Sequence, residues 1–196
     1  MHRKIIHGPP GTGKTFTLTK YLDKELNENK IDPQKIVYIS FSNAAAREAR
    51  RRIKYDLYHI GTMHSLGSNE LEIDTNTQLL KGSRWNSFKN FSQICRDLSF
   101  ESHVNEAGYV EYMNPNMKVI QYSRSRNLDL QQAAIDLDII HLVDLGFVEQ
   151  LNQDLKNFKD GTGMIEYSDM ISQFVDKRKC PAIDVVFLDE AQDLSP

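Results

Sequence analysis

Cysteine is scarce in this sequence: Cys95 and Cys180 are the only two in 196 residues. They stand far apart with no His or Cys at ligand spacing, which argues against a disulfide framework and a structural zinc site and leaves buried free thiols as the expectation. Long apolar runs are lacking too. No stretch approaches the roughly 20 residues that a membrane span requires. Met1–Lys4 leads straight into a short strand, so no secretory leader is expected and the expected location is cytoplasmic. Neither sign of charge dominates, since 24 Lys and Arg face 27 Asp and Glu for a net charge of −3. A protein basic all over is thereby excluded, but a local basic groove is not, because the field near a phosphate chain depends on where the charges sit. At 40% hydrophobic and 26% charged residues, disorder, collagen and coiled coil are poor fits. One good core and a small second one are expected.

What is present reads as strand, glycine loop, helix, and then a repeat of strand and helix. Ile5 and Ile6 centre a short strand over Lys4–His7, a turn follows at Gly8–Gly11, and Thr15–Leu26 carries a helical pattern. Ile36–Phe41 is a second apolar, β-branched run ending in Ser42 and Asn43, both good N-caps for a helix over Ala44–Ile53. Leu57–His64 reads as a third strand closed by Gly67, and Ala182–Leu188 as a fourth. Strands this uniformly apolar belong in an α/β fold, in a parallel sheet covered on both faces.

Between Gly67 and Gly163 the pattern turns helical, with Phe88, Phe91, Ile94, Cys95 and Leu98, then Leu128, Leu130, Ile135, Ile139 and Leu142. The division this predicts is one α/β domain from residues 1–66 and 164–196 with a mainly helical insertion at 67–163. Pro115 and the polar Ser123–Arg126 run mark Asn114–Asn127 as an exposed loop, flanked by a short strand at Lys118–Tyr122. The Trp85, Phe88 and Phe91 stripe is assigned to the core rather than to a base-stacking platform.

The strongest motif is Gly8, Pro9, Pro10, Gly11, Thr12, Gly13, Lys14 and Thr15, a full Walker A pattern placed after a strand and before a helix. Small residues let successive backbone N–H groups turn inward on phosphates, and the helix start adds its positive dipole end. Lys14 reaches the β and γ phosphates, and the Thr15 hydroxyl is an oxygen ligand for Mg²⁺. The apolar run Val185–Leu188 ends in Asp189 and Glu190. Asp189 is placed to hold the Mg²⁺ water shell, and Glu190 to polarise the water that attacks the γ phosphate.

With Asp189, Glu190, Ala191, Gln192 and Asp193 in view, the chain resembles the first motor domain of a superfamily 1 DNA helicase of the UvrD/Rep type. Three further stretches support the resemblance, in the family's order: Ile39–Glu48, Gly61–Ser65 and Tyr167–Met170. It implies a RecA-like P-loop ATPase domain with an inserted helical subdomain, binding Mg-ATP and single-stranded DNA, with Gln192 joining the nucleotide set. It also implies that Phe41 stacks on a base, that Ser42 and Asn43 hydrogen-bond to the strand's backbone, and that Thr62, His64 and Ser65 line its path. Stacking is indifferent to base identity, which suits a motor that travels over any sequence. Met63 stands where the family usually has an aromatic residue, and Met1–His7 lacks the glutamine that reads adenine.

Arg47, Arg50, Arg51 and Lys54 form either a phosphate-facing stripe or a solvated helix face. Arg124 and Arg126 are candidates for a contact with nucleic acid from the insertion. The family's second motor domain and its arginine fingers are not among these residues, so the chain is expected to bind Mg-nucleotide, to hydrolyse it slowly alone and not to unwind DNA. Monomeric behaviour and movement from 3′ to 5′ are the expectations carried by the resemblance, and RNA is left open. A nucleotide-dependent DNA-binding module without autonomous turnover is the alternative, with a P-loop small-molecule kinase behind it.

Overall fold

The computed structural model describes residues 4–6, 8, 11–104, 110–177 and 181–191. The chain opens with α1 (Lys14–Asn27), β1 (Ile36–Ser40), α2 (Asn43–Arg52), β2 (His59–Gly61) and α3 (Met63–Glu70). Then come α4 (Trp85–Phe91), β3 (Ser102–Val104), β4 (Val110–Tyr112), α5 (Pro115–Arg126), α6 (Leu130–Asp136), α7 (Leu145–Thr162) and α8 (Tyr167–Asp176). β5 (Val185–Asp189) returns to the first sheet. The residues group into two compact units, Met1–Leu66 with Cys180–Pro196, and Gly67–Lys179. Among the described residues no helix is long and apolar enough to cross a membrane.

The first unit is α/β, built on a three-stranded parallel sheet in the order β2-β1-β5 among the described residues. β1 is the central strand, and all five of its residues are buried. That is the expected fate of a uniformly apolar run in a parallel sheet. Ile36 and Tyr38 join Leu22 and Leu26 of α1, Ala49 of α2, and Phe187 of β5 in one core. Burying each large aliphatic of this set contributes roughly 1.5–3 kcal/mol. β5 differs from the expectation of cover on both faces: Phe187 and Asp189 are buried, while Val186 and Leu188 are 55% and 41% exposed. A strand alternates in this way when only one of its two faces meets a core. The strand predicted at Lys4–His7 is not formed over Lys4–Ile6, where Ile5 is 57% exposed and has no core to enter, and His7 lies outside the described residues. The predicted strand at Leu57–His64 contracts to β2, because Thr62 ends it by capping α3.

The second unit is mainly helical, and its core gathers Trp85, Phe88, Phe100, Tyr112, Met117, Ile120, Leu151 and Phe158. Trp85 stacks on Phe100 with ring centroids 4.5 Å apart and meets Tyr112 edge-on at 5.8 Å. Trp85 and Phe88 are therefore core as expected, whereas Phe91, the last residue of α4, is 51% exposed. Cys95 is a buried free thiol, and Cys180 lies outside the described residues.

The loop predicted at Asn114–Asn127, with its short strand, is a helix. Asn114 caps α5 by accepting from the backbone of Asn116 at 2.9 Å, and Pro115 occupies the first turn, where its missing N–H costs nothing. Met117, Val119 and Ile120 are buried, and Asn127 ends the helix in the left-handed region at φ 52°. The residues read as loop signals are thus the helix's punctuation. Helix α8, which the sequence division assigns to the α/β domain, belongs to this second unit. Its N-terminus is fastened there by a buried ion network. Glu166 accepts from Tyr112 Oη at 3.0 Å, from Lys159 Nζ at 3.0 Å and from Arg124, while Lys159 also reaches Asp169 at 2.8 Å.

Candidate functional site

The glycine loop supplies its own geometry. Gly11 and Gly13 sit at φ 80° and 78°, in the left-handed region that L side chains resist. A Cβ on Gly8 would stand 2.5 Å from Thr12 Oγ1. Gly13 is the N-cap of α1 and accepts from Thr17 N at 2.9 Å, so the N–H groups before Thr17 in this 14-residue helix have no acceptor within it. Lys14 Nζ donates to the Gly8 carbonyl at 2.9 Å, folding its side chain back over the loop. Pro9 and Pro10 lie outside the described residues.

Thr15 Oγ1 donates to Asp189 Oδ2 at 3.1 Å, so the loop and the end of β5 meet across 174 positions of sequence. The register that makes this possible is parallel, with Ser40 beside Asp189 and Tyr38 beside Phe187. Tyr38 Oη donates to the same Asp189 oxygen at 2.8 Å, and Glu190 N donates to Asp189 Oδ1 at 3.1 Å. Burial first, and then the Asp189 carboxylate, push the Tyr38 phenol well above the usual tyrosine range, so it stays a donor. Glu190 is half-buried and holds φ 57°, a left-handed conformation that costs a non-glycine residue about 1–2 kcal/mol and is found at functional sites. Gln192 lies outside the described residues.

These groups suit a phosphate chain and its cation. The chemistry is that of hard oxygens: a hydroxyl and a carboxylate at hydrogen-bond distance, beside a glycine-rich helix N-terminus, the kind of site that suits an anion. Such a pair matches Mg²⁺, which takes one or two protein oxygens and fills the rest of its octahedron with phosphate and water. Ser40 Oγ, on the same strand face, is buried, reaches none of these groups and has no hydrogen-bond partner among the described residues.

The remaining candidates lie at the carboxyl ends of β1 and β2, which are neighbours in register from Val37–His59 to Ile39–Gly61. Phe41 is half-buried just past β1 and Asn43 is exposed, while Ser42 caps α2 by accepting from Ala45 N at 3.1 Å. Thr62 and Ser65 cap α3 reciprocally, with Thr62 N donating to Ser65 Oγ at 2.9 Å and Ser65 N donating to Thr62 Oγ1 at 3.2 Å. Ser65 Oγ also lies 3.0 Å from Nε2 of the buried His59. Burial holds the half-buried His64 below the ordinary imidazole value, so it is neutral at physiological pH. All of these therefore border the edge where open α/β sheets bind ligands.

The arginine stripe is partly engaged inside the protein. Arg50 Nε donates to the Ile60 carbonyl at 2.7 Å, and Arg51 lies 3.6 Å from Glu48. Arg124, offered as a nucleic-acid contact, instead pairs with Glu166 and donates to Asn152 Oδ1 at 2.8 Å. Tyr38, Ser40, His59 and Glu166 were not singled out by sequence. For Tyr38 and Ser40 a signal existed: two polar groups at alternate positions of an otherwise apolar strand share one face.

A glycine loop opening a helix, joined to a strand-end carboxylate of a parallel α/β sheet, defines a RecA-like P-loop domain. The chain belongs to the UvrD/REP helicase N-terminal domain family, whose model matches residues 2–196. It is also similar to a probable DNA helicase II homolog of Rickettsia conorii, 38% identical over 66 residues that make up 31% of this chain and 10% of that protein. The corresponding protein of Rickettsia felis matches with the same identity and coverage.

Proposed function

We propose that this chain is the nucleotide-binding motor domain of an ATP-dependent DNA helicase or translocase. The observation that carries this reading is the 3.1 Å contact between Thr15 and Asp189, which joins the phosphate loop to the acidic strand end. When bound, Mg-ATP supplies a high-energy phosphoanhydride whose cleavage drives the cycle. Lys14 exchanges the Gly8 carbonyl for the β and γ phosphate oxygens, and the N–H groups of Gly11–Gly13 turn onto the chain. Thr15 and Asp189 would hold the cation and its waters, and Gln192 would contact the nucleotide. Glu190 takes the proton of the attacking water on its carboxylate.

Single-stranded DNA crosses the carboxyl edge of the sheet, with Phe41 stacking on a base. Ser42, Asn43, Thr62, His64 and Ser65 contact its backbone. Nucleotide state then changes the grip on the strand, and the difference in affinity between states moves the protein, in the 3′ to 5′ sense. The test is the ATPase rate of the purified chain with and without single-stranded DNA, beside Mg-ATP binding by calorimetry. Absence of magnesium-dependent nucleotide binding would overturn the assignment. Phosphorylation of a sugar or nucleoside without DNA stimulation would transfer it to the kinase reading.

A further inference from the structure

Asp189 is held on both oxygens. Glu190 N fixes Oδ1 at 3.1 Å, while Oδ2 accepts from Thr15 at 3.1 Å and from Tyr38 at 2.8 Å. The two donors to Oδ2 differ in kind. Thr15 Oγ1 is also the hydroxyl oxygen offered to the cation, so its geometry serves the ion as well as the carboxylate. Tyr38 serves the carboxylate alone, donating to Oδ2 at 2.8 Å. It is 1% exposed, it approaches from β1, and its ring stacks on Phe187 with centroids 6.4 Å apart. Its neighbour on the same face, Ser40, is buried, and its hydroxyl makes no hydrogen bond among the described residues. Tyr38 is thus the side chain of β1 that engages the carboxylate.

We propose that Tyr38 is a positioning residue of the metal site: its buried hydroxyl, bonded to Asp189 Oδ2, keeps the carboxylate aimed at the cation that Thr15 ligates. The inference rests on the Mg-nucleotide reading above and deepens it, assigning a supporting role to a residue outside the glycine loop and the acidic strand end. Partners behind a ligand carboxylate commonly account for 10- to 100-fold in metal affinity, because they remove the rotation the ligand would otherwise lose on binding.

The test is the variant Tyr38→Phe, which keeps the ring and its stacking on Phe187 and deletes only the hydroxyl. A fluorescent ATP analogue is bound to the 196-residue chain without metal and then over a Mg²⁺ titration, with thermal unfolding recorded for each protein. The expected result is a rise of about tenfold in the half-saturating Mg²⁺ concentration, with metal-free nucleotide affinity within about twofold of wild type. Ser40→Ala, on the same face, leaves the titration unchanged. Equal weakening of metal-free and metal-dependent binding would make Tyr38 a packing residue and overturn the proposal, as would an unaltered titration. A wild-type chain that binds no nucleotide with Mg²⁺ would instead remove the functional reading on which it rests.

Discussion

Replacing Glu166 by Gln tests the ion network that closes the second unit. The Glu166 side chain is 8% exposed, and Lys159 and Arg124, its two cations, are 12% and 24% exposed. The amide keeps the shape and can still accept from Tyr112, but it leaves two cations facing a neutral group. Breaking a buried pair costs about 3–5 kcal/mol. Here Lys159 retains Asp169 at 2.8 Å and Arg124 retains Asn152 at 2.8 Å, which places the loss at the lower end, about 3 kcal/mol. For a chain of this size that corresponds to a melting shift of roughly 6–12 °C. The assay is well isolated: the single tryptophan, Trp85, lies in the core of this unit, so its fluorescence follows this unit's unfolding.

The same variant carries a pH signature. Burial pushes the Glu166 carboxyl up, but Lys159, Arg124 and the hydrogen bonds they and Tyr112 donate outweigh it and hold it below its ordinary value of 4.5. A folded pKa below the unfolded one means that the unfolded state binds the proton first. The stabilisation is therefore complete above pH 4.5 and is lost as pH falls through the folded value, and Glu166→Gln flattens that part of the acid limb. A variant melting within about 1 °C of wild type, with an unchanged acid limb, would refute the reasoning.

Other expectations concern the first unit. Lys14→Ala removes the one side-chain cation of the loop and is expected to weaken Mg-ATP binding by 10- to 100-fold by calorimetry, the range for a hydrogen bond to a charged group. Glu190→Gln should abolish ATP turnover in a phosphate-release assay while leaving nucleotide affinity within about threefold, because its role is confined to the attacking water. Phe41→Ala should reduce stimulation of the ATPase by single-stranded DNA and raise the DNA concentration needed by about 10-fold or more, in line with roughly 1–3 kcal/mol per stacked base. Gly61→Ala would place a methyl 2.4 Å from both His59 Nε2 and Ser65 Oγ. It should lower stability by about 1–3 kcal/mol in urea unfolding, by forcing apart the cap of α3.

The local chemistry is legible from neighbouring residues. Gly11, Gly13, Lys14 and Thr15 can be read as a phosphate loop because left-handed glycines and a helix start are properties of neighbouring residues. The apolar run ending in Asp189 announces a buried strand with an acid at its end for the same reason. The network at Glu166 escaped because its partners lie on α5 and α7 and at β4. Periodicity along one element says nothing about which charges meet across several. Asn114 and Pro115 suit a loop as well as the start of a helix, since capping residues and turn residues are the same amino acids, and packing of Met117, Val119 and Ile120 selects the helix. That Thr15 and Asp189 share a site follows from the pairing of the two motifs, but Tyr38 as a second donor to that carboxylate emerges only from the assembled sheet. Parallel pairing of β1 with β5 is a long-range register, set by which faces find a common core, and no local pattern specifies it.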